Sequence, residues 1–175
     1  MGSGGARAAQ DTDGANAPEH AELAAPPCIP LQGAGRILRG VVRLLVNLDY
    51  RTLTEFPLPD GRRADVVAID RRGSFTIVEV KSSIADYRAD NKWPYYRSWC
   101  DSFFFGISPE FPLAALPDDV GLIVADAFEG VVVRSAPVCT LNSVRRRSLL
   151  LRFARTASAR LSLLGDPTWD EERAE

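Results

Sequence analysis

The sequence predicts an α/β domain, a mixed β-sheet of about five to six strands flanked by helices. Three observations carry that expectation. Short apolar runs bounded by Pro, Gly and Asp recur through the middle of the chain, at lengths that suit strands. Two outer segments, Gly35 to Leu48 and Ser143 to Leu164, repeat apolar residues at helical spacing. Two of the strand runs, Arg63–Asp70 and Ser74–Lys81, are separated only by Arg71-Arg72-Gly73 and so read as an antiparallel hairpin, while the later apolar runs read as buried central strands.

A chain of 175 residues suits one domain with a sizeable core. Residues 1–32 are poor in aromatic residues and carry Pro18, Pro26, Pro27 and Pro30, the composition of a disordered leader. The domain is expected over 33–164, with an acidic tail at 165–175. No run approaches the roughly 18 apolar residues of a membrane span, and the start lacks a basic region followed by an apolar one. The expectation is a cytoplasmic protein with no membrane attachment.

Cys28, Cys100 and Cys139 are too scattered for a disulfide framework or a zinc site. The only histidine, His20, falls in the leader, which removes histidine bases, Ser-His-Asp triads and histidine metal sites from the domain. Chemistry in this chain is left to carboxylates, lysine and tyrosine. The net charge is −2, with acidic ends around a basic body, a balance compatible with nucleic-acid binding. Of 21 basic side chains only Lys81 and Lys92 are lysines. A lysine kept among so many arginines marks a place where a compact, tunable ammonium is wanted.

Taken in order, the first helix sets Arg36, Arg39 and Arg43 opposite its apolar face. That stripe reads either as a solvated surface or as a set of phosphate contacts. Strand one, Arg51 to Leu58, is closed by Pro57 and Pro59. Its Glu55 is either a third carboxylate of a site or an edge charge that discourages aggregation. The hairpin follows, with Gly73 at the left-handed loop position.

Ile84 to Asp101 is polar and aromatic and mostly helical, with Pro94 opening or kinking a helix. Its Lys92, Trp93 and Tyr96 either pack on the sheet or meet nucleic acid. Ser102–Ile107, Asp119–Ala125 and Gly130–Arg134 are expected as buried strands, and Asp126 as a turn former. In the last helix Ser143 is the expected N-cap. Leu149, Leu150, Phe153, Ala157, Leu161 and Leu164 are expected to face inward, and arginines decorate the remaining surface.

The hairpin register places Asp65 directly across from Glu79, and alternation puts Lys81 on the same face. Two carboxylates and an ammonium thus converge in an apolar setting, where an unpaired charge is costly. They form either a satisfied ion cluster or a site for a hard cation. Oxygen ligands suit Mg²⁺ or Mn²⁺, with the Val80 carbonyl between the two carboxylates as a further ligand.

The series R-R-A-D-V-V-A-I-D, I-V-E-V-K-S-S, D-N-K-W-x-x-Y, C-D-x-F-F-F and G-L-I-V-A-D closely resembles the bacterial MmcB-type family of DNA-repair proteins, over roughly 36–160. Asp65 followed by Glu79-x-Lys81 on a hairpin also looks like the PD-(D/E)xK nuclease superfamily, with Ala64 at the proline position. The resemblance implies a restriction-endonuclease-like fold and a role in repair of damaged DNA, with DNA and other repair proteins as partners. By position it makes Asp65 and Glu79 metal ligands and Lys81 the catalytic lysine. The expected activity is Mg²⁺-dependent endonuclease or exonuclease cleavage. The alternative is a non-catalytic DNA-binding or adaptor module that keeps the fold.

Overall fold

In the computed structural model, residues 1–2 and 32–166 are described, and the account below concerns the unit that begins at Leu31. His20, Cys28, nearly all of the leader and residues 167–175 of the acidic tail lie outside the described residues.

The elements run α1 (Ala34–Asn47), β1 (Arg51–Pro57), β2 (Arg63–Ile69), β3 (Phe75–Lys81), α2 (Ile84–Ala89), α3 (Trp93–Tyr96), β4 (Ser102–Ile107), β5 (Gly121–Ala125), β6 (Gly130–Arg134) and α4 (Ser143–Gly165). The six strands form one sheet in sequence order. β1, β2 and β3 are antiparallel neighbours, β3 to β5 run parallel, and β6 returns antiparallel. The mixed sheet expected from sequence is the one observed. Parallel neighbours need a crossover, and α2 and α3 supply the one between β3 and β4.

The hairpin forms as its turn chemistry dictates. The Asp70 amide donates to the Ser74 carbonyl, Gly73 takes φ +79°, and the Asp70 carboxylate accepts the Arg72 and Ser74 amides. Only glycine adopts that φ freely, so the loop closes in three residues and sets the expected register through Val66–Val78.

Each sheet face carries its own core. α1 lays Ile37, Val41 and Leu45 on Val66, Val78, Val80 and Ile123. Its approach is close. A Cβ on Gly40 would stand 2.3 Å from the Asp126 carbonyl oxygen. The opposite face packs Phe75, Ile77, Phe103 and Phe105 against Tyr96, Trp93, Leu149 and Phe153. Burying each such aromatic contributes about 2–3 kcal/mol.

α4 is also tied down by charge. Arg146 donates to both oxygens of buried Asp101 (2.9 and 2.7 Å) and to the Gly73 carbonyl, and Asp101 further accepts the Phe75 and Leu141 amides. The last helix is thereby clamped to the hairpin loop. No helix among the described residues is long and apolar enough to cross a membrane.

Several expectations are corrected. β6 is an edge strand, not a central one, and its Val131, Val132 and Val133 are exposed. Leu150, Leu161 and Leu164 of α4 are exposed, because only the stretch around Leu149 and Phe153 lies over the sheet. Asn142, not Ser143, caps α4, its side chain accepting the Val144 and Arg145 amides. The segment after β3 is helical as expected, as two short helices and a 3₁₀ turn (Arg97–Trp99) broken at Asp90, and Pro94 opens the second helix.

Candidate functional site

The site originates in a departure from regular pairing. The β2–β3 ladder ends at Val66–Val78, one pair short of Asp65 and Glu79. Beyond it β2 swings away from β3, and the freed backbone groups find other partners, as buried amides and carbonyls must. The Val80 amide, which the continued ladder would have paired with backbone, donates to Asp65 Oδ2 (2.7 Å), and the Tyr96 hydroxyl donates to the Arg63 carbonyl (3.0 Å). In an extended strand the N–H and C=O of one residue point the same way, so the Val80 carbonyl faces the same notch.

The notch is an open depression of about 580 Å³ whose walls include Arg63, Asp65, Glu79, Lys81, Asp86, Asp90, Lys92 and Tyr96. Glu79 and Lys81, on one face of β3, are only 7% and 4% exposed. The Lys81 ammonium donates to Glu79 Oε1 (3.3 Å) and, more closely, to Asp90 Oδ2 (2.6 Å). Asp90 is itself held, its Oδ1 accepting the Lys92 amide at 2.7 Å. Glu79 Oε2 is buried with no hydrogen-bond partner among the described residues.

The electrostatics follow from these contacts. Burial, reinforced by the Asp65 charge, pushes Glu79 up to about 8. Burial likewise raises Asp65, against the Val80 hydrogen bond. Burial alone would lower Lys81, yet the Asp90 hydrogen bond and the flanking carboxylates outweigh it and hold the ammonium above its ordinary value. Asp90 lies below the usual range because its hydrogen bonds from Lys81 and the Lys92 amide overcome its burial. Two raised carboxylates facing each other, one with an orphaned oxygen, have the chemistry of a cation site.

The residues present fit a hard, mostly hydrated cation better than a fully protein-ligated one. Among the described residues no cluster of three or more His, Cys, Asp or Glu side chains has the geometry of a metal site. Mg²⁺ needs no such cluster, because it retains several waters. Asp65, Glu79 and the Val80 carbonyl would hold it.

The remaining sequence candidates are scattered. Glu55 stands beside Asp65 in the β1–β2 register but drops out of the ladder with φ +49°, is exposed, and pairs with Arg63 at 2.5 Å, outside the notch walls. Its carbonyl and that of Thr54 accept from Arg160 of α4. Lys92 and Tyr96 line the notch, and Trp93 packs behind it against Phe103 and Phe105. Arg36, Arg39 and Arg43 are exposed on α1, which covers the opposite face of the sheet. Asp126 accepts the Phe128 and Glu129 amides, as a turn former does.

Sequence reading passed over Asp90 and Arg63 as site residues. For Asp90 the available signal was an acid at a helix break, nine residues beyond the lysine. Arg63 is the strand residue two before Asp65, and alternation alone puts it on the same side.

No curated protein matches the sequence. Among solved structures, a protein of unknown function from Silicibacter pomeroyi is similar at 40% identity and a TM-score of 0.76, covering 79% of this chain and 95% of that one. The family described as DNA repair protein MmcB-like matches residues 27–168, a span that contains the whole sheet and the charged notch. The chain belongs to the MmcB-like family of DNA repair proteins.

Proposed function

We propose that this protein is a cytoplasmic DNA-repair nuclease that hydrolyses phosphodiester bonds with Mg²⁺ or Mn²⁺ held by Asp65, Glu79 and the Val80 carbonyl. The observation that carries this reading is the orphaned Glu79 Oε2, buried beside Asp65 and Lys81 in an open notch. A bound divalent ion there supplies an acidified water and offsets phosphate charge. In the reaction, water oxygen bonds to phosphorus, the bond from phosphorus to the leaving sugar oxygen breaks, the water proton passes to solvent, and the departing oxygen takes a proton from solvent.

Lys81 stays charged in the grip of Asp90, which favours it as a donor to the phosphoryl oxygens over a role as base. Arg63 and Lys92 on the rim receive the flanking phosphates. The motif Asp65…Glu79-x-Lys81, on the β2–β3 hairpin within a mixed sheet, supports the likeness to PD-(D/E)xK nucleases.

The test is a panel of DNA forms incubated with Mg²⁺ or Mn²⁺, beside the Lys81→Ala protein. Cleavage by the wild type that falls at least about a hundredfold in Lys81→Ala is expected. Equal cleavage by both, or none by either, refutes the assignment.

One observation favours a second reading. The Lys81 ammonium is already paired with Asp90 and Glu79, as in a closed ion cluster. On that reading the fold is a non-catalytic DNA-binding or adaptor module working with other repair proteins. Its DNA affinity would fall steeply with salt and survive Lys81→Ala.

A further inference from the structure

We infer that a DNA strand with unpaired bases reaches the Asp65–Glu79–Lys81 notch along a strip of arginine and aromatic side chains: Arg63, then Tyr95 with Arg62, then Trp99 with Arg145. The α1 arginines are not its path. This inference rests on the reading of the notch as a phosphate site and adds the route and the form of the substrate.

The strip is joined by chain neighbours at its first step and by contact from there on. Arg63 lines the notch, and its carbonyl accepts the Tyr96 hydroxyl. Beside Tyr96, the Tyr95 ring lies 4.1 Å beneath the Arg62 guanidinium. Arg62 also bonds Asp60 Oδ2 at 2.9 Å, and the same oxygen accepts the Trp99 indole N–H at 3.0 Å. Over the Trp99 ring, at 5.2 Å, stands Arg145 of α4, which also donates to the Ser98 carbonyl. Three segments distant in sequence, the β1–β2 turn, α3 with the 3₁₀ turn that follows it, and α4, thus build one surface.

Its chemistry fits a strand of DNA. The notch itself gathers Asp65, Glu79, Asp86 and Asp90 around Lys81, so the flanking phosphates fall to cations on its rim and beyond it. Arg63 and Arg145 do so where the strand passes. The acids that now pair with the strip's arginines, Glu55 with Arg63 and Asp60 with Arg62, make partly exposed ion pairs of the weak kind that phosphate displaces readily.

Tyr95 is 55% exposed, large for an aromatic residue on a charged surface. With one face covered by Arg62, the remainder offers a stacking plane. Bases stacked inside a duplex cannot use it; unpaired ones can. Arg36, by contrast, lines a separate hollow with Ser108 and Glu110, and α1 lies across the sheet from Tyr95.

The experiment is anisotropy of fluorescein-labelled oligo-dT, and of a duplex of equal length, with the full chain in EDTA, so that no hydrolysis intervenes. Oligo-dT should bind more tightly than the duplex. Tyr95→Ala should weaken oligo-dT binding at least about fivefold, the lower range for a lost stacked base, and Tyr95→Phe should restore it. The double change Arg63→Ala, Arg145→Ala should flatten the slope of log affinity against log salt by about 1.4, two contacts at about 0.7 each.

The triple change Arg36→Ala, Arg39→Ala, Arg43→Ala should stay within about twofold of wild type, where a lost set of phosphate contacts would cost far more. Thermal melts of every variant confirm folding. The inference is overturned if the α1 triple abolishes binding while the strip variants bind normally, if the duplex binds as tightly as oligo-dT, or if neither probe binds. Binding along the strip without cleavage in Mg²⁺ would sink the nuclease reading alone.

Discussion

Replacing Glu79 by glutamine should stabilise the metal-free protein above neutral pH and lose that effect in acid. In the fold the Glu79 carboxyl has a pKa of about 8 against an ordinary 4.5, first because it is buried and then because Asp65 faces it. The folded chain therefore holds a proton that the unfolded chain has already shed. The sign is that of a raised acid: stability is highest below about pH 4.5, declines as pH rises, and levels off past 8.

At about 1.4 kcal/mol per pH unit, ionised Glu79 costs the fold on the order of 5 kcal/mol. Glutamine has the same shape and no charge to bury, so at pH 8.5 it should recover several kcal/mol. For a chain of this length that is a rise in Tm on the order of 10 °C. The assay is differential scanning calorimetry in EDTA at pH 5 and at pH 8.5. Mg²⁺ should then raise the Tm of the wild type at pH 8.5, where a cation relieves both carboxylates, and leave Glu79→Gln unchanged. Equal Tm for variant and wild type at pH 8.5, or a gain of the same size at pH 5, would refute the account of a strained carboxylate.

Two further outcomes are expected. Asp90→Asn removes the closest partner of Lys81 and the hydrogen bond that helps hold its ammonium above the ordinary value, so Lys81 should acylate faster than in the wild type with an amine reagent at pH 8, read by mass spectrometry. Exposed Lys92, the only other lysine, serves as the control. Gly40→Ala drives a methyl group into the backbone carbonyls of Asp126 and Glu129, which cannot yield as a side chain can, and should cost about 1–3 kcal/mol in urea unfolding.

What the chain order alone determined is local. Alternation and turn chemistry set strands β1 to β6 to within a residue or two, and Gly73 set the hairpin register, because these depend on residues a few positions apart. The same register brought Asp65, Glu79 and Lys81 to one place, and the lack of a histidine in the domain limited what they could do there.

Only the tertiary structure decided the rest. That β2 peels from β3 at Asp65, that Asp90 closes on Lys81, and that Arg145 arrives over Trp99 are contacts between segments with no shared periodicity. That Val131, Val132 and Val133 lie open on an edge depends on which strands stand beside them, and apolar strands read alike in the centre and at the rim. The sheet face taken by α1 carries no local signal either, and it separates Arg36, Arg39 and Arg43, readable from sequence as a solvated face or as phosphate contacts, from the notch.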